Sequence, residues 1–330
     1  MERIGIVGGG AWGTALAQAA RRAGRTVTLW AREAEVVEAI NARHENPLFL
    51  AGVALDAGIR ATSELAGAAD ADAVLLVTPA QHTRGVCRDL AGDLRPGTPA
   101  VICTKGVEGG SAALMSEVVA EALPAARIAV MSGPTFAAEV ARDLPSAVTI
   151  AAADSDLAAR LAAALGSTNF RPYHSDDPIG AQVGGAVKNV LAIACGVIQG
   201  RGFGHNAVAA LITRGLAEMA RLGLALGAKR ETLMGLSGLG DLVLTCTHEQ
   251  SRNYSLGLAL GEGQALDDYL SGRATVAEGV ASAAAIVALA ARHEVEMPIV
   301  AAVDAALNRA ADIDLAIAGL LARPIAPEFG

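Results

Sequence analysis

A glycine-rich turn near the start of the chain constrains the possible folds more than any other feature. Gly8, Gly10 and Gly13 follow the G-x-G-x-x-G spacing, directly after the β-rich run Arg3–Val7 and at the beginning of a helical pattern. In a βαβ unit the first glycine allows a tight turn, the second lets the backbone approach a pyrophosphate, and the third lets helix and strand pack closely. The helix N-terminus then offers free N–H groups to the phosphates. The turn therefore predicts a dinucleotide-binding domain at the beginning of the chain.

The rest of the first half alternates β-rich runs with helical stretches. The further strand candidates are Thr26–Trp30, Ala73–Val77, Ala100–Cys103, Arg127–Met131 and Ala147–Ala151. The helical stretches between them include Thr14–Ala23, Ala112–Ala122 and Asp154–Leu165. Strands separated by helices favour right-handed crossovers and a mostly parallel sheet. We predict an α/β fold with an N-terminal Rossmann-type, doubly wound sheet.

Strand signals fade from about Ile179, and helical patterns dominate to the end of the chain. Glycine-rich segments at Gly200–Gly204 and Ser237–Gly240 are predicted to break these helices. We therefore predict a dinucleotide-binding domain over residues 1–178 and an all-helical substrate-binding and catalytic domain over residues 179–330.

Composition excludes several classes of function. The net charge is -8 and only 3% of the residues are aromatic, which argues against a nucleic-acid partner. The four cysteines are widely spaced and the six histidines scattered, so we expect free thiols and no metal site. We find neither a secretory signal nor a membrane span of about 18 uncharged apolar residues, so we expect a soluble cytoplasmic protein without membrane insertion.

The end of the second predicted strand bears on the choice of dinucleotide. An acidic residue there favours the free 2′-hydroxyl of NAD, whereas an arginine accommodates the 2′-phosphate of NADP. The sequence has Arg32 at this point, followed by Glu33. Arg32 favours NADP(H), while the alternative is that the two residues form a solvated surface pair.

Two lysines are candidates for the chemistry. Lys105 follows a predicted strand, at the sheet edge where ligands bind, although it could also be an ordinary surface lysine. Lys188 is the only charged residue between Gly180 and Gly200, and no carboxylate lies one helical turn away. Burial would lower its pKa and suit it to proton transfer. The alternative is a lysine whose stem is packed while its ammonium group reaches solvent.

Asp241 is isolated in the same way, as the only charged residue from Thr232 to Thr247. An acid in such a segment caps a helix or balances a buried cation, and Lys188 is the obvious candidate. Ser251, Arg252 and Asn253 follow as a polar cluster suited to a phosphate group, or simply as a solvated helix start.

Six motifs in order make the chain resemble the bacterial NAD(P)-dependent glycerol-3-phosphate dehydrogenases over essentially its whole length. The motifs are Trp12-Gly13-Thr14-Ala15-Leu16 after the glycine turn, Thr104-Lys105-Gly106, Ser132-Gly133-Pro134, Gly185-Ala186-Val187-Lys188-Asn189, Gly238-Leu239-Gly240-Asp241-Leu242 and Ser251-Arg252-Asn253. The sequence departs from the usual pattern at Ala11 and Thr135, where relatives often have serine.

The resemblance implies interconversion of dihydroxyacetone phosphate and sn-glycerol 3-phosphate by hydride transfer with NADP(H), NAD(H) or both. It implies that Lys188 donates and accepts the proton and that Asp241 orients it. The implied substrate-binding residues are Lys105, Gly133, Thr135, Lys188, Asp241, Ser251, Arg252 and Asn253. The implied cofactor-binding residues are Gly8, Gly10, Ala11, Trp12, Gly13, Arg32, Lys105, Ala137, Arg252, Val276 and Glu278. It also implies a homodimer that supplies a phospholipid precursor.

Two alternatives stay open at this point. One is a dehydrogenase of similar architecture that acts on a β-hydroxy acid or ketopantoate, since such enzymes also use a helix lysine. Lys105 and the Ser251-Arg252-Asn253 cluster favour the phosphorylated triose instead. The other is a non-catalytic nicotinamide-binding sensor, which would need neither Lys188 nor Asp241.

Overall fold

The β-rich runs of the first half form one eight-stranded sheet in the computed structural model, which describes residues 1–271 and 277–325. The strands are β1 (Arg3–Val7), β2 (Thr26–Trp30), β3 (Ile59–Thr62), β4 (Ala73–Leu76), β5 (Pro99–Ile102), β6 (Arg127–Ser132), β7 (Ser146–Ala151) and β8 (Phe170–Ser175). All six predicted strands are present, with ends shifted by at most one residue.

The strand order is β3-β2-β1-β4-β5-β6-β7-β8, and the first six strands in this order are parallel. β7 runs antiparallel to β6, and β8 is parallel to β7. The chain moves outward from β1 in both directions, so the carboxyl ends of β1 and β4 open a crevice at the switch point. The prediction of a doubly wound, mostly parallel sheet is confirmed.

Two strands were not predicted, and both lie at the edges of the sheet. β3 has only four residues, one of which is the exposed Arg60. β8 contains Arg171, Pro172 and His174, and only its first residue is fully buried. Short or polar edge strands with a proline protect a sheet from pairing with other chains, and they lack the apolar run by which buried strands are recognised.

Helices cover both faces of the sheet because successive side chains of a strand point to opposite sides. Ile4 and Ile6 of β1 pack into one core, while Val7 and Leu76 pack into the other. The helices of this half are α1 (Ala11–Arg22), α2 (Ala34–Arg43), α3 (Leu65–Ala69), α4 (Ala80–Leu90), α5 (Met115–Ala122), α6 (Ala137–Ala141) and α7 (Ser155–Leu165).

The second half of the chain is helical and has its own apolar core. Its helices are α8 (Pro178–Gly200), α9 (His205–Ala225), α10 (Arg230–Leu233), α11 (Asp241–Thr247), α12 (Arg252–Gly261), α13 (Leu266–Leu270), α14 (Glu278–Arg292), α15 (Pro298–Asn308) and α16 (Ile313–Leu321). The last strand ends at Ser175, two residues before the Asp177 side chain caps α8. The division into two domains at residue 178 stays a prediction.

One predicted helix break is wrong. Gly200–Gly204 does separate α8 from α9, but Leu236–Gly240 forms a π-helical turn that leads directly into α11. In this turn the Gly240 N–H donates a hydrogen bond to the carbonyl oxygen of Gly235, five residues earlier, with an N···O distance of 3.0 Å. A π turn inserts a residue into a helix and often marks a functional site, and this one directly precedes Asp241.

The helix α8 organises the helical half. It is long and apolar enough to cross a membrane by length and composition, but 94% of its most apolar stretch is buried inside the protein. It packs against α9, α11, α12 and α14. This helix therefore carries Lys188 through the centre of the helical core, close to the carboxyl edge of the sheet.

Candidate active site

The glycine turn lies between β1 and α1, at the carboxyl edge of the sheet. Gly8 has a φ of 131°, and a Cβ there would lie 2.7 Å from the Val77 carbonyl oxygen. Gly10 caps α1, and Ala11, Trp12 and Gly13 form its first turn, where N–H groups lack intrahelical acceptors. This arrangement leaves room and donors for a pyrophosphate.

Three buried polar atoms have no hydrogen-bond partner within residues 1–271 and 277–325: Trp12 Nε1, Ser132 Oγ and Ser282 Oγ. Such atoms are rare in folded proteins and call for an unseen partner. Trp12 lies in the first turn of α1, between Gly10 and Gly13, Ser132 ends β6, and Ser282 lies beside Gly106 just after β5. All three therefore border the carboxyl edge of the sheet, and the residues present fit a bound dinucleotide.

The remaining predicted cofactor residues lie at several points around this edge. Arg32 follows β2 and is exposed, and its guanidinium pairs with Glu33 at 2.9 Å. Ala137 begins α6. Glu278 begins α14, its carboxyl lies beside Gly106, and burial raises its pKa. The predicted contact of Val276 lies outside the described residues.

The centre of the site is Asp241, which is fully buried and contacts two lysines. Its Oδ1 accepts a hydrogen bond from Lys188 Nζ at 2.5 Å, and its Oδ2 accepts one from Lys105 Nζ at 2.7 Å. Lys188 is only 6% exposed and belongs to α8, whereas Lys105 follows β5. A carboxylate shared by two lysines compensates part of the cost of burying them and fixes their positions.

Burial lowers the pKa of Lys188 to about 8, and the neighbouring charge of Lys105 acts in the same direction. The carboxylate of Asp241 opposes this shift and keeps the pKa from falling further. A lysine with such a pKa can give and take a proton near neutral pH, which an ordinary lysine with a pKa of 10.5 does far less readily.

α8 approaches the end of β6 closely through a glycine. A Cβ at Gly185 would lie 2.8 Å from Ser132 Oγ and 3.3 Å from Lys105 Cγ. Lys105 also donates to the Gly133 carbonyl oxygen at 2.9 Å, and the Thr135 hydroxyl donates to the same oxygen at 3.3 Å. The predicted residues Lys105, Gly133 and Thr135 therefore lie together beside α8.

Sequence reasoning missed Thr245, which completes the surroundings of Lys188. Its hydroxyl oxygen lies 2.9 Å from Lys188 Nζ and 3.2 Å from Asp241 Oδ1. Thr245 lies one helical turn after Asp241, and this i, i+4 spacing on α11 is the signal that could have identified it.

Two asparagine side chains, hydrogen-bonded to each other, connect the sheet edge to the helices. Asn189 Nδ2 donates to the Lys105 carbonyl oxygen, and Asn253 Nδ2 donates to Asn189 Oδ1, each at 3.0 Å. Asn253 Oδ1 accepts from the Gly279 N–H, also at 3.0 Å. Asn253 therefore joins α8, α12 and α14, and it keeps one N–H without an acceptor in the described chain.

The polar cluster Ser251-Arg252-Asn253 forms the start of α12. The Ser251 hydroxyl caps the helix by accepting from the Tyr254 N–H at 3.2 Å. Arg252 occupies the first helical position and is exposed, and its charge acts on the carboxyl of Glu278. The guanidinium is therefore close enough to α14 for its positive charge to oppose the rise in the pKa of Glu278.

The doubly wound sheet, the glycine turn and the buried lysine on a long helix define the class of NAD(P)-dependent dehydrogenases with a helical second half. Residues 3–158 and 177–318 match the models of the NAD-dependent glycerol-3-phosphate dehydrogenase N-terminus and C-terminus. The chain therefore belongs to the NAD-dependent glycerol-3-phosphate dehydrogenase family.

Individual relatives agree with this assignment. A glycerol-3-phosphate dehydrogenase [NAD(P)+] of Parvibaculum lavamentivorans is 60% identical over 99% of this chain and 98% of its own length. One from Rhodospirillum rubrum is 61% identical over 100% and 95% of the two chains. The crystal structure of glycerol-3-phosphate dehydrogenase from Coxiella burnetii has a TM-score of 0.93 at 40% identity, covering 98% of this chain and 99% of that one.

Proposed function

We propose that this protein interconverts dihydroxyacetone phosphate and sn-glycerol 3-phosphate with NADP(H) or NAD(H). The observation that carries the proposal is the buried Asp241, which holds Lys188 and Lys105 together at the edge of the sheet where a dinucleotide would lie. The family favours a phosphorylated triose over a β-hydroxy acid or ketopantoate, and a sensor would have no need of a buried lysine.

In the proposed reduction, the glycine turn and Trp12 would hold the dinucleotide, which would supply the hydride for the carbonyl carbon. The ammonium group of Lys188 polarises the carbonyl oxygen and transfers a proton to it, so that the alcohol forms and Lys188 is left as a neutral amine. In the reverse direction the amine takes the proton from the alcohol. Asp241 holds Lys188 Nζ in place through the 2.5 Å contact and stabilises its charged form.

The phosphate is assigned to the start of α12. Arg252 offers a planar pair of donors suited to two phosphate oxygens, and Asn253 offers its remaining N–H. Lys105 adds a second positive charge close by. Holding the phosphate places the carbonyl group beside Lys188 and makes hydride transfer effectively intramolecular.

A spectrophotometric assay tests the function directly. The protein should oxidise NADPH or NADH when dihydroxyacetone phosphate is added. Ketopantoate with the reduced cofactor, and β-hydroxy acids with the oxidised cofactor, should give no comparable turnover. Oxidation with ketopantoate but not with dihydroxyacetone phosphate would identify the alternative substrate, and cofactor binding without any turnover would identify a sensor.

The pH dependence should follow Lys188. The ammonium form dominates below pH 8, so kcat/KM for reduction should be constant well below pH 8, fall about fivefold from pH 8 to 9 and fall about ninefold from pH 9 to 10. The oxidation direction needs the neutral amine and should rise up to about pH 8. In Asp241→Asn the inflection should move below 8, because the attraction that raises the pKa is lost. If the rates of reduction and oxidation both rose, or both fell, with increasing pH, this assignment would be contradicted.

The choice of dinucleotide is assigned to Arg32. Arg32→Asp should weaken NADPH binding far more than NADH binding, because a charge-assisted contact to the 2′-phosphate contributes about 1.5–3 kcal/mol, or roughly 10- to 150-fold. Fluorescence titration with both dinucleotides measures the ratio, and Arg43→Asp, at the exposed end of α2, is the control. Equal losses for the two cofactors would show that Arg32 does not read the phosphate.

We also propose a cytoplasmic homodimer that supplies a phospholipid precursor, as the family resemblance implies. No residue of α16 is fully buried, and Leu315 and Leu321 are 73% and 75% exposed. Exposed apolar patches of this kind commonly mark protein–protein contacts. Leu315→Lys combined with Leu321→Lys should halve the mass in sedimentation equilibrium, while Leu48→Lys in the other half should not. A wild-type monomer would refute the proposal.

A further inference from the structure

A buried asparagine outside the predicted site contacts the glycine turn. Asn46 lies in the loop between α2 and β3 (residues 44–58), and its side chain is fully buried. Its Nδ2 donates to the Gly9 carbonyl oxygen at 2.9 Å and to Thr14 Oγ1 at 2.8 Å. Its Oδ1 accepts a hydrogen bond from the Phe49 N–H at 3.2 Å. The donor side of this amide is therefore used on the glycine turn and on α1.

Thr14 completes a closed set of contacts around the Gly9 carbonyl. Its hydroxyl is fully buried and donates to the Gly9 oxygen at 3.4 Å, while it accepts from Asn46. On another side, a Cβ at Gly9 would lie 2.4 Å from the Cβ of Ala31, so the end of β2 packs directly against the turn. A glycine backbone has little orientational preference of its own. The hydrogen bonds from Asn46 and Thr14 therefore fix the peptide group that follows Gly9.

The orientation of this carbonyl decides where the next N–H points. The peptide bond between Gly9 and Gly10 is trans, so the Gly9 carbonyl and the Gly10 N–H point in opposite directions. Within residues 1–271 and 277–325, the Gly10 N–H donates no hydrogen bond. A Cβ at Gly10 would meet no atom within 4 Å, so this residue borders open space. The Gly10 N–H therefore points away from Asn46 and is free to bind a ligand.

The direction of this peptide group matters for an anion. Gly10 caps α1, and the start of a helix attracts a pyrophosphate through N–H groups that point towards it. If the peptide group turned over, it would present the negative end of the Gly9 carbonyl to the ligand. The contact from Asn46 opposes that reversal, because a buried Asn46 side chain would lose an acceptor.

We propose that Asn46 is a positioning residue for the dinucleotide. By holding the Gly9 carbonyl, with Thr14 as its partner, it keeps the Gly10 N–H directed at the pyrophosphate. The inference rests on the dinucleotide binding in the proposed function, and it does not depend on the identity of the substrate.

The same loop offers a control that separates positioning from simple anchoring. Gln18 of α1 is 5% exposed, its Nε2 donates to the Ala54 carbonyl oxygen at 3.0 Å, and its Oε1 accepts from the Asp56 N–H at 2.8 Å. Both hydrogen bonds attach the loop to α1, and neither involves the glycine turn. Gln18→Ala therefore weakens the attachment of the loop without releasing the Gly9 carbonyl.

Fluorescence titration with NADPH tests the proposal on the intact protein. Asn46→Ala should weaken NADPH binding by about tenfold or more, whereas Gln18→Ala should change it by less than about twofold. Calorimetry with adenosine 2′-phosphate, which has no pyrophosphate, should show a change of less than about twofold in both variants. In steady-state assays the loss in Asn46→Ala should appear as a higher KM for NADPH, with little change in kcat at saturating NADPH.

The hydroxyl of Thr14 provides a second test, which decides the question even if Asn46→Ala does not fold. Thr14→Val removes the acceptor for Asn46 and should weaken NADPH binding severalfold, whereas Thr14→Ser keeps the hydroxyl and should bind as the wild type does. Unchanged NADPH affinity in both Asn46→Ala and Thr14→Val would overturn the positioning role. Equal losses in Asn46→Ala and Gln18→Ala, or equal losses for NADPH and adenosine 2′-phosphate, would overturn it too. A wild-type protein that binds no dinucleotide would instead refute the proposed function.

Discussion

Replacing Lys188 by methionine should abolish turnover while leaving the affinity for NADPH nearly unchanged. General acid–base groups contribute roughly 10²- to 10⁴-fold to a rate, and kcat should fall by at least this much. Methionine is close to lysine in length and has no charge, so it fits the buried position on α8. Asp241 keeps its 2.7 Å contact with Lys105, so the carboxylate is not left without a partner and the fold should survive.

Rapid-mixing measurements of hydride transfer and a fluorescence titration with NADPH check this prediction together. The matched control is Lys229→Met, which removes an exposed lysine paired with Asp176 and should leave both quantities as in the wild type. Circular dichroism confirms that each variant is folded. A kcat within about threefold of the wild-type value would remove Lys188 from the chemistry.

Replacing Arg252 by alanine should damage turnover of dihydroxyacetone phosphate severely and barely affect the slow reaction of unphosphorylated dihydroxyacetone. Two charge-assisted hydrogen bonds at about 1.5–3 kcal/mol each correspond to roughly 10²- to 10⁴-fold in kcat/KM. Binding energy from the unreacting phosphate orients the carbonyl group, so kcat should fall as well as affinity. Arg252 is exposed and Ser251 still caps α12, so the helix should remain intact.

The loss of kcat/KM caused by mutating Arg252 and the loss caused by removing the substrate phosphate can be compared in a thermodynamic cycle. Mutation of Arg252 and removal of the phosphate delete the same contact, so their effects on kcat/KM should overlap rather than add. The overlap need not be complete, because Lys105 attracts the phosphate as well. Arg160→Ala, an exposed arginine of α7, is the control and should leave both substrates unaffected. Fully additive losses would place the phosphate elsewhere.

Local patterns were sufficient for the buried part of the sheet. β1 and β4 are apolar runs of a few residues, which are recognisable because a strand buried on both faces has little room for polar side chains. β8 is half exposed and carries an arginine, a proline and a histidine, so no local pattern distinguishes it from a loop. Its place beside β7 depends on hydrogen bonds with a strand that lies 24 residues earlier in the chain, beyond α7.

In the candidate site, too, some features were predictable from the local sequence and others only from the tertiary structure. The sequence by itself showed that Lys188 and Asp241 are each the only charged residue in an apolar segment. Since a buried charge requires a partner of opposite charge, this isolation was enough to predict that the two residues pair. The sequence also determined the glycine turn, since that geometry depends on a few neighbouring residues. Only the tertiary structure decided that Asp241 is shared with Lys105, which lies 136 residues away. Only it showed that Asn253 joins three helices and that a π turn precedes Asp241. Contacts between distant segments depend on how helices and sheet pack together, and no local pattern of residue types encodes that packing.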